Sequence, residues 1–111
     1  MKTTILLNSE TLGVGNDELG GKLIGSFLRK ICIIGEKPDS IIFYNSAVKL
    51  LSKDSFILDA LSKLSDSGVD LIACSTCIGF FNLEDKLEFG RISNMFEIVR
   101  ILSKSEKVIT P

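Results

Sequence analysis

The stretch that decides the fold lies at residues 68–77 and reads Gly-Val-Asp-Leu-Ile-Ala-Cys-Ser-Thr-Cys. Residues 69–73 form a short, mostly apolar run, which is typical of a strand buried on both faces of a parallel sheet. The run leads without a break into Cys74 and Cys77, and the apolar positions that follow predict a short helix. The two cysteines are therefore predicted to lie at the junction of a strand and a helix.

The same alternation of strand and helix extends to both ends of the chain. Apolar residues at helical spacing predict helices between residues 19 and 31, from about 54 to 67, and from Asn94 onward, where Asn94 can cap the helix and Glu97 can reach back. Short buried strands are predicted at residues 3–8, 40–45, 69–73, 89–93 and 107–110. This order favours an α/β fold: a three-layer sandwich with a mostly parallel, roughly five-stranded sheet, in a single domain over residues 1–111.

The 111-residue chain contains no histidine, which excludes several classes of catalytic site. A Ser-His-Asp triad, a Cys-His dyad, an HExxH metalloprotease site and a zinc deaminase site each depend on an imidazole that exchanges protons near neutral pH or binds zinc. Any chemistry in this chain must therefore come from cysteine, carboxylate, lysine or backbone groups.

Charge and cysteine content bear on the partners and the compartment. The 13 basic and 14 acidic residues give a net charge of -1, so the sequence predicts no binding to nucleic acid or to an anionic membrane. The longest apolar runs are far shorter than the ~20 residues of a membrane-spanning helix. Three cysteines are an odd number in a chain that starts without a secretory signal pattern, which predicts a cytoplasmic protein.

Polar residues follow the first three predicted strands at their carboxyl ends. Ligands of open parallel sheets bind at this edge, so the polar residues are predicted to line a small cleft of amide, hydroxyl and thiol groups. The alternative is that the Asn and Ser side chains only form the turns that strand ends require. The candidate binding residues are Asn8, Ser9, Asn45, Ser46, Ser75 and Thr76.

The C-x-x-C pair provides the candidate catalytic residues, Cys74 and Cys77. Cys74 is expected at the end of its strand, where backbone amides of the next helix favour a thiolate. Cys77 is within disulfide reach and is suited to resolve a mixed disulfide formed at Cys74. The alternative for both is a role as small buried residues, and for Cys32, which lies among isoleucines, packing is the favoured interpretation.

The sequence predicts no metal and no dissociable cofactor. A closed zinc site needs four ligands, and one cysteine pair without histidine leaves only a metal shared between subunits. The glycine-rich segment 13–22 is placed like a phosphate-binding loop, but Gly21 stands where the lysine belongs, and Asp17 and Glu18 would repel phosphate. We interpret this loop as a means of close helix packing and, secondly, as a lid over the cleft.

Three segments together resemble a known family. They are residues 11–20 (TLGVGNDELG), 41–50 (IIFYNSAVKL) and 68–77 (GVDLIACSTC), followed by Asn94-Met95 and Lys107-Val108-Ile109. The combination resembles the DsrE-like family, and within it the C-terminal domain of YedF-type selenium-metabolism proteins. The resemblance implies a parallel α/β fold, trimers or hexamers, and a persulfide carried on the cysteine that ends the third strand, here Cys74. Cys77 resembles a feature of the YedF-type subgroup.

These observations predict a sulfur- or selenium-relay protein with Cys74 as acceptor thiol and Cys77 as resolving thiol, a carrier with no independent turnover. Its expected partners are sulfur or selenium donor and acceptor proteins, including a SirA/TusA-like protein, and further copies of the chain. We expect the N-terminal SirA/TusA-like domain of YedF-type proteins to be absent, since the sequence starts at the first strand. Two alternatives remain: an oligomeric module that binds a small ligand or partner and has structural cysteines, and a dithiol oxidoreductase.

Overall fold

The computed structural model describes residues 2–111, in which strands and helices alternate as predicted. The strands are β1 (Thr3–Leu7), β2 (Ser40–Phe43), β3 (Asp70–Cys74), β4 (Arg91–Ser93) and β5 (Lys107–Ile109). The helices are α1 (Asp17–Ile31), α2 (Leu58–Asp66), α3 (Ser75–Phe80) and α4 (Met95–Lys104), and a 3-10 helix covers Asn45–Leu51. None of the helices in the described range is long and apolar enough to cross a membrane.

The five strands form one sheet in the order β4-β3-β2-β1-β5, and each neighbouring pair is parallel. The chain advances from β1 to β4 in one direction and then returns to the opposite side of β1 for β5. Right-handed crossovers therefore place the first three connections on one face of the sheet and α4 on the other. This arrangement is the predicted three-layer α/β sandwich.

Alternating side chains of the strands feed two separate cores. In β2, Ile41 and Phe43 belong to the larger core beneath α1 and α2, whereas Ile42 faces α4. The smaller core beneath α4 consists of Ile42, Ile72, Cys74 and Ile98. The period of two along β3 thus turns the side chain of Cys74 toward α4.

Several predicted boundaries differ from the observed ones by one or more residues. β2 ends at Phe43, two residues early, because the backbone turns at Asn45 into a 3-10 helix that the apolar pattern did not predict. α2 begins at Leu58, since residues 52–57 form turns in which Ser52 bridges to Leu87. β3 is shifted by one residue and includes Cys74, which pairs with Ser93 of β4.

The start of α4 is fixed in part as predicted. The side chain of Asn94 accepts a hydrogen bond from the Glu97 N–H at 2.9 Å, which confirms the cap. The carboxylate of Glu97, however, contacts Arg91 and Ser93 instead of reaching back to the Asn94 N–H. The hydrogen bond from the Arg91 guanidinium is the main reason that the pKa of Glu97 is lowered. Because Arg91 also binds both carboxylate oxygens of Asp70, it joins α4 to β3 and β4.

Candidate functional site

Cys74 lies at the carboxyl end of β3 and is closed off from solvent. Cys74 is 1% exposed and packs with Ile42, Ile72 and Ile98 beneath α4. Cys74 is also the N-cap residue of α3, but its side chain makes no capping hydrogen bond, so the expected amide contact to this sulfur is absent. The strand alternation explains this, because it directs the thiol into the core beneath α4.

Cys77 lies three residues later in α3 and is half-buried at the rim of both cores. Its Sγ accepts a hydrogen bond from the backbone N–H of Asn45, with 3.0 Å between nitrogen and sulfur. Burial raises the pKa of the Cys77 thiol, the Asn45 N–H opposes this rise, and the neighbouring Cys74 thiol adds to it. The backbone amide that contacts a sulfur of the pair therefore comes from the exit of β2.

Asn45 adopts an unusual backbone conformation where β2 gives way to the 3-10 helix. Its φ of 54° lies in the left-handed region, which asparagine tolerates better than most residues. Its side-chain Oδ1 accepts a hydrogen bond from the N–H of Ser46 at 2.8 Å. This conformation leaves the N–H of Asn45 free to bind across the sheet edge to Cys77.

Ser9 and Ser46 connect the exits of β1 and β2. The Oγ of Ser46 accepts a hydrogen bond from the Glu10 N–H at 3.0 Å and lies 3.5 Å from the Oγ of Ser9. Ser9 in turn accepts a hydrogen bond from the Thr11 N–H. Together with the contact between Asn45 and Cys77, these bonds bring the ends of β1, β2 and β3 together, as the polar pattern predicts.

The other predicted binding residues do not join this cluster. Asn8 is exposed and lines a groove of about 340 Å³ together with Ser9, Thr11, the glycine-rich loop, Asp17 and Pro111, and neither cysteine of the pair lines it. Ser75 and Thr76 are exposed at the start of α3. The glycine-rich loop therefore borders a groove that holds Asn8 and Ser9 of the predicted cleft, whereas the two thiols lie outside this groove.

The glycine-rich loop does serve helix packing as predicted. A Cβ atom placed on Gly20 would lie 2.7 Å from the Cβ of Thr11, so α1 approaches the preceding loop closely only because this position is glycine. Cys32 also behaves as predicted: it packs against the larger core, and its thiol donates to the carbonyl oxygen of Ala60 at 3.4 Å.

Comparison with known proteins identifies the chain. The sequence profile of the DsrE/DsrF-like family matches residues 19–111. The chain belongs to this family. No curated protein shows significant sequence similarity to it.

Solved structures share the fold of this DsrE/DsrF-like chain. A protein of unknown function from Methanobacterium thermoautotrophicum is 23% identical with a TM-score of 0.72, and the match covers 99% of this chain and 98% of that one. The ychN protein from E. coli is 17% identical with a TM-score of 0.70 over 99% and 98%. A conserved protein of unknown function from Bacteroides thetaiotaomicron is 17% identical with a TM-score of 0.68 over 99% and 95%. These matches confirm the α/β fold.

The sequence interpretation of this DsrE/DsrF-like chain did not single out Lys49, which contacts Glu10 at the exit of β1. Its Nζ is 4.5 Å from the centre of the Phe81 ring and 3.8 Å from a carboxylate oxygen of Glu10. Lys49 belongs to the 3-10 helix, so the failure to predict that helix also hid its position. Within residues 2–111, no group of three or more His, Cys, Asp or Glu side chains is arranged to hold a metal ion.

Proposed function

We propose that this DsrE/DsrF-like chain is a sulfur- or selenium-relay protein in which the Cys74–Cys77 pair accepts, holds and releases the transferred atom. The observation that carries the proposal is the placement of two free thiols at the ligand-binding edge of a parallel sheet, one of them half-buried and bound to a backbone amide. The C-x-x-C motif further supports a place among the YedF-type selenium-metabolism proteins that the sequence resembles.

The chemistry of acceptance conserves electrons. A cysteine thiolate attacks the outer sulfur of a donor persulfide R–S–SH, the S–S bond of the donor breaks, and the departing R–S⁻ takes up the proton that the cysteine lost. In the order that the sequence predicts, Cys74 accepts the sulfur, and the thiolate of Cys77 then attacks the inner sulfur of the Cys74 persulfide. This step forms the Cys74–Cys77 disulfide and releases HS⁻, so the transferred sulfur is reduced while the two cysteines are oxidised. A dithiol reductant restores both thiols.

Intact mass after incubation with a persulfide donor tests the proposal. We expect the reduced wild-type protein to gain the mass of one sulfur atom as a persulfide or, once the second thiol has resolved it with release of HS⁻, to lose two hydrogen atoms as the Cys74–Cys77 disulfide. The Cys74→Ser/Cys77→Ser double variant should do neither. The Cys32→Ser variant is the matched control and should load like the wild type, because Cys32 is engaged in packing against the larger core. A wild-type protein that forms neither the persulfide nor the Cys74–Cys77 disulfide, or a double variant that loads equally well, would contradict the relay function.

The second candidate is an oligomeric binding module with structural cysteines. The burial of Cys74 at 1% exposure and the raised pKa of Cys77 favour it. This function predicts that the double variant keeps its ligand or partner, whereas a relay protein loses its cargo.

The proposed partners are sulfur or selenium donor and acceptor proteins, including a SirA/TusA-like protein, and further copies of the chain. The α4 face of the sheet is the surface that we assign to self-association. A single ten-residue helix covers this face, and α4 exposes a patch of large apolar side chains. The patch consists of Met95, Phe96 and Val99.

We expect Phe96→Glu to lower the native mass measured by sedimentation to that of the 12.1 kDa monomer. Phe96 is 73% exposed in the single chain, so a charge at this position should change the stability of one copy little. The same charge buried in an apolar interface would make association much less favourable. Phe80→Glu is the matched control, because Phe80 is 79% exposed on α3 and lies outside the patch. An unchanged mass for Phe96→Glu would exclude this face as the interface.

A further inference from the structure

The two thiols of the pair differ in access. Cys74 is sealed beneath α4 at 1% exposure, whereas Cys77 is half-buried at the rim of the sheet edge. A partner that carries a persulfide must bring its outer sulfur into contact with the attacking thiolate. In the folded chain, Cys77 is the more accessible of the two thiols, and Cys74 is reached only after the small core around it has opened.

We propose that Cys77 is the thiol at which sulfur enters, and that Asn45 is a positioning residue whose backbone N–H donates to the Cys77 sulfur and stabilises its thiolate when it forms. The inference rests on the proposed relay function and reverses the order that the sequence predicts. Cys74, packed behind Cys77, then becomes the resolving thiol.

The geometry at Asn45 supports this assignment. The N–H donates to Cys77 Sγ over 3.0 Å, and the two residues are 32 positions apart in the sequence. The contact depends on the left-handed backbone at Asn45, which its own Oδ1 supports through the hydrogen bond from the Ser46 N–H. The Ser46 side chain is in turn fixed by the Glu10 N–H at the exit of β1. The donor is therefore held in place by both neighbouring strand exits.

The Asn45 N–H acts at both sulfur-transfer steps. On entry, the Cys77 thiolate attacks the outer sulfur of the donor persulfide R–S–SH, and the S–S bond of the donor breaks. Cys77–S–SH forms, and the departing R–S⁻ takes up the proton that the Cys77 thiol lost. On delivery, an acceptor thiolate attacks the outer sulfur, and Cys77 departs as a thiolate, so the same N–H stabilises the leaving group. Neither step needs an oxidant or a reductant, because the transferred sulfur keeps its oxidation state. When no acceptor is present, the Cys74 thiolate attacks the inner sulfur at Cys77, HS⁻ leaves, and a dithiol reductant reopens the disulfide.

Single-cysteine variants decide which thiol receives sulfur. With the same persulfide donor, we expect Cys74→Ser to gain one sulfur atom and Cys77→Ser to gain almost none. The opposite result, with loading on Cys74 alone, would overturn the entry role of Cys77 and leave the relay function intact. If the wild type forms neither a persulfide nor the Cys74–Cys77 disulfide, the relay function fails and the entry role of Cys77 falls with it.

The alkylation rate of Cys77 as a function of pH tests the role of Asn45 separately. Measured with iodoacetamide in the Cys74→Ser background and resolved from Cys32 by peptide mapping, the profile reports the fraction of Cys77 thiolate. Asn45→Val disfavours the left-handed conformation and should withdraw the N–H from the sulfur. The loss of one charge-assisted hydrogen bond should raise the pH of half-maximal rate by about one unit, which slows alkylation at neutral pH by about tenfold.

A second left-handed asparagine provides the matched control. Asn82 has a φ of 56°, but its N–H donates to the carbonyl oxygen of Gly79 instead of a sulfur. Asn82→Val therefore introduces the same backbone strain and should leave the Cys77 profile in place. Glycine tolerates the left-handed conformation and keeps the N–H, so Asn45→Gly should have a pH of half-maximal alkylation of Cys77 close to that of the wild type. Equal profiles for wild type and Asn45→Val, or equal shifts in Asn45→Val and Asn82→Val, would overturn the role of Asn45.

Discussion

Ile98→Ala is expected to lower the free energy of unfolding by about 2–4 kcal/mol and to make Cys74 reactive. Ile98 is 0% exposed and is the α4 residue in the small core that seals Cys74. Its truncation removes packing from Ile42 and Ile72 as well, so α4 should separate from the sheet more often. Because protection of a buried thiol follows the free energy of opening, we expect the alkylation rate of Cys74 to rise by about tenfold or more.

The measurements are urea unfolding and thiol alkylation followed by peptide mass, both in a Cys77→Ser background so that Cys74 is the reactive member of the pair. Ile33→Ala is the matched control, since it makes the same truncation at a residue that is 74% exposed and belongs neither to the small core nor to the patch on α4. It should change stability by less than about 0.5 kcal/mol and leave Cys74 protected. Destabilisation by Ile98→Ala without faster alkylation of Cys74 would mean that α4 is not the barrier to this thiol.

Phe43→Ala is expected to have the largest effect on stability, a loss of about 3–5 kcal/mol in the free energy of unfolding. Phe43 is 0% exposed in the larger core and ends β2, which has a strand on either side. A loss of this size is a large part of the 5–15 kcal/mol that stabilises a typical domain. Because Asn45 follows two residues later, the variant should also loosen the backbone that presents the N–H to Cys77.

Chemical unfolding of Phe43→Ala and Phe80→Ala side by side tests this expectation. Phe80→Ala removes the same side chain from a position that is 79% exposed, and its cost should stay within about 0.5 kcal/mol. Similar losses in both variants would show that the larger core does not depend on Phe43.

Local patterns were sufficient to predict the order of the elements. The apolar runs at residues 3–8 and 69–73 and the helical spacing between residues 19 and 31 are properties of short segments, and such segments form the same element in the folded chain. The 3-10 helix escaped prediction because it depends on the left-handed turn at Asn45 and on burial of Ala47 and Val48 in the larger core.

The candidate site was predictable in part for the same reason. That the polar exits of β1 and β2 meet follows from the rule that parallel strands end at one edge, and Ser9 and Ser46 do meet there. Asn8 also lies at this edge and shares a groove with Ser9, but it is exposed one residue beyond the end of β1 and lies beside the glycine-rich loop. Sequence proximity also suggested that the amides of α3 serve Cys74, whereas the contact that exists joins Cys77 to a residue 32 positions away.

The sequence by itself determined the α/β class, the order of strands and helices, and the position of Cys74 at the end of a buried strand, because each of these depends on the pattern of a few adjacent residues. The tertiary structure alone decided that α4 closes over Cys74, that Cys77 remains within reach of solvent, and that Asn45 supplies the amide to its sulfur. These features depend on which face the last crossover covers and on the register of β2 against β3, and both are set by packing between segments that are distant in the sequence.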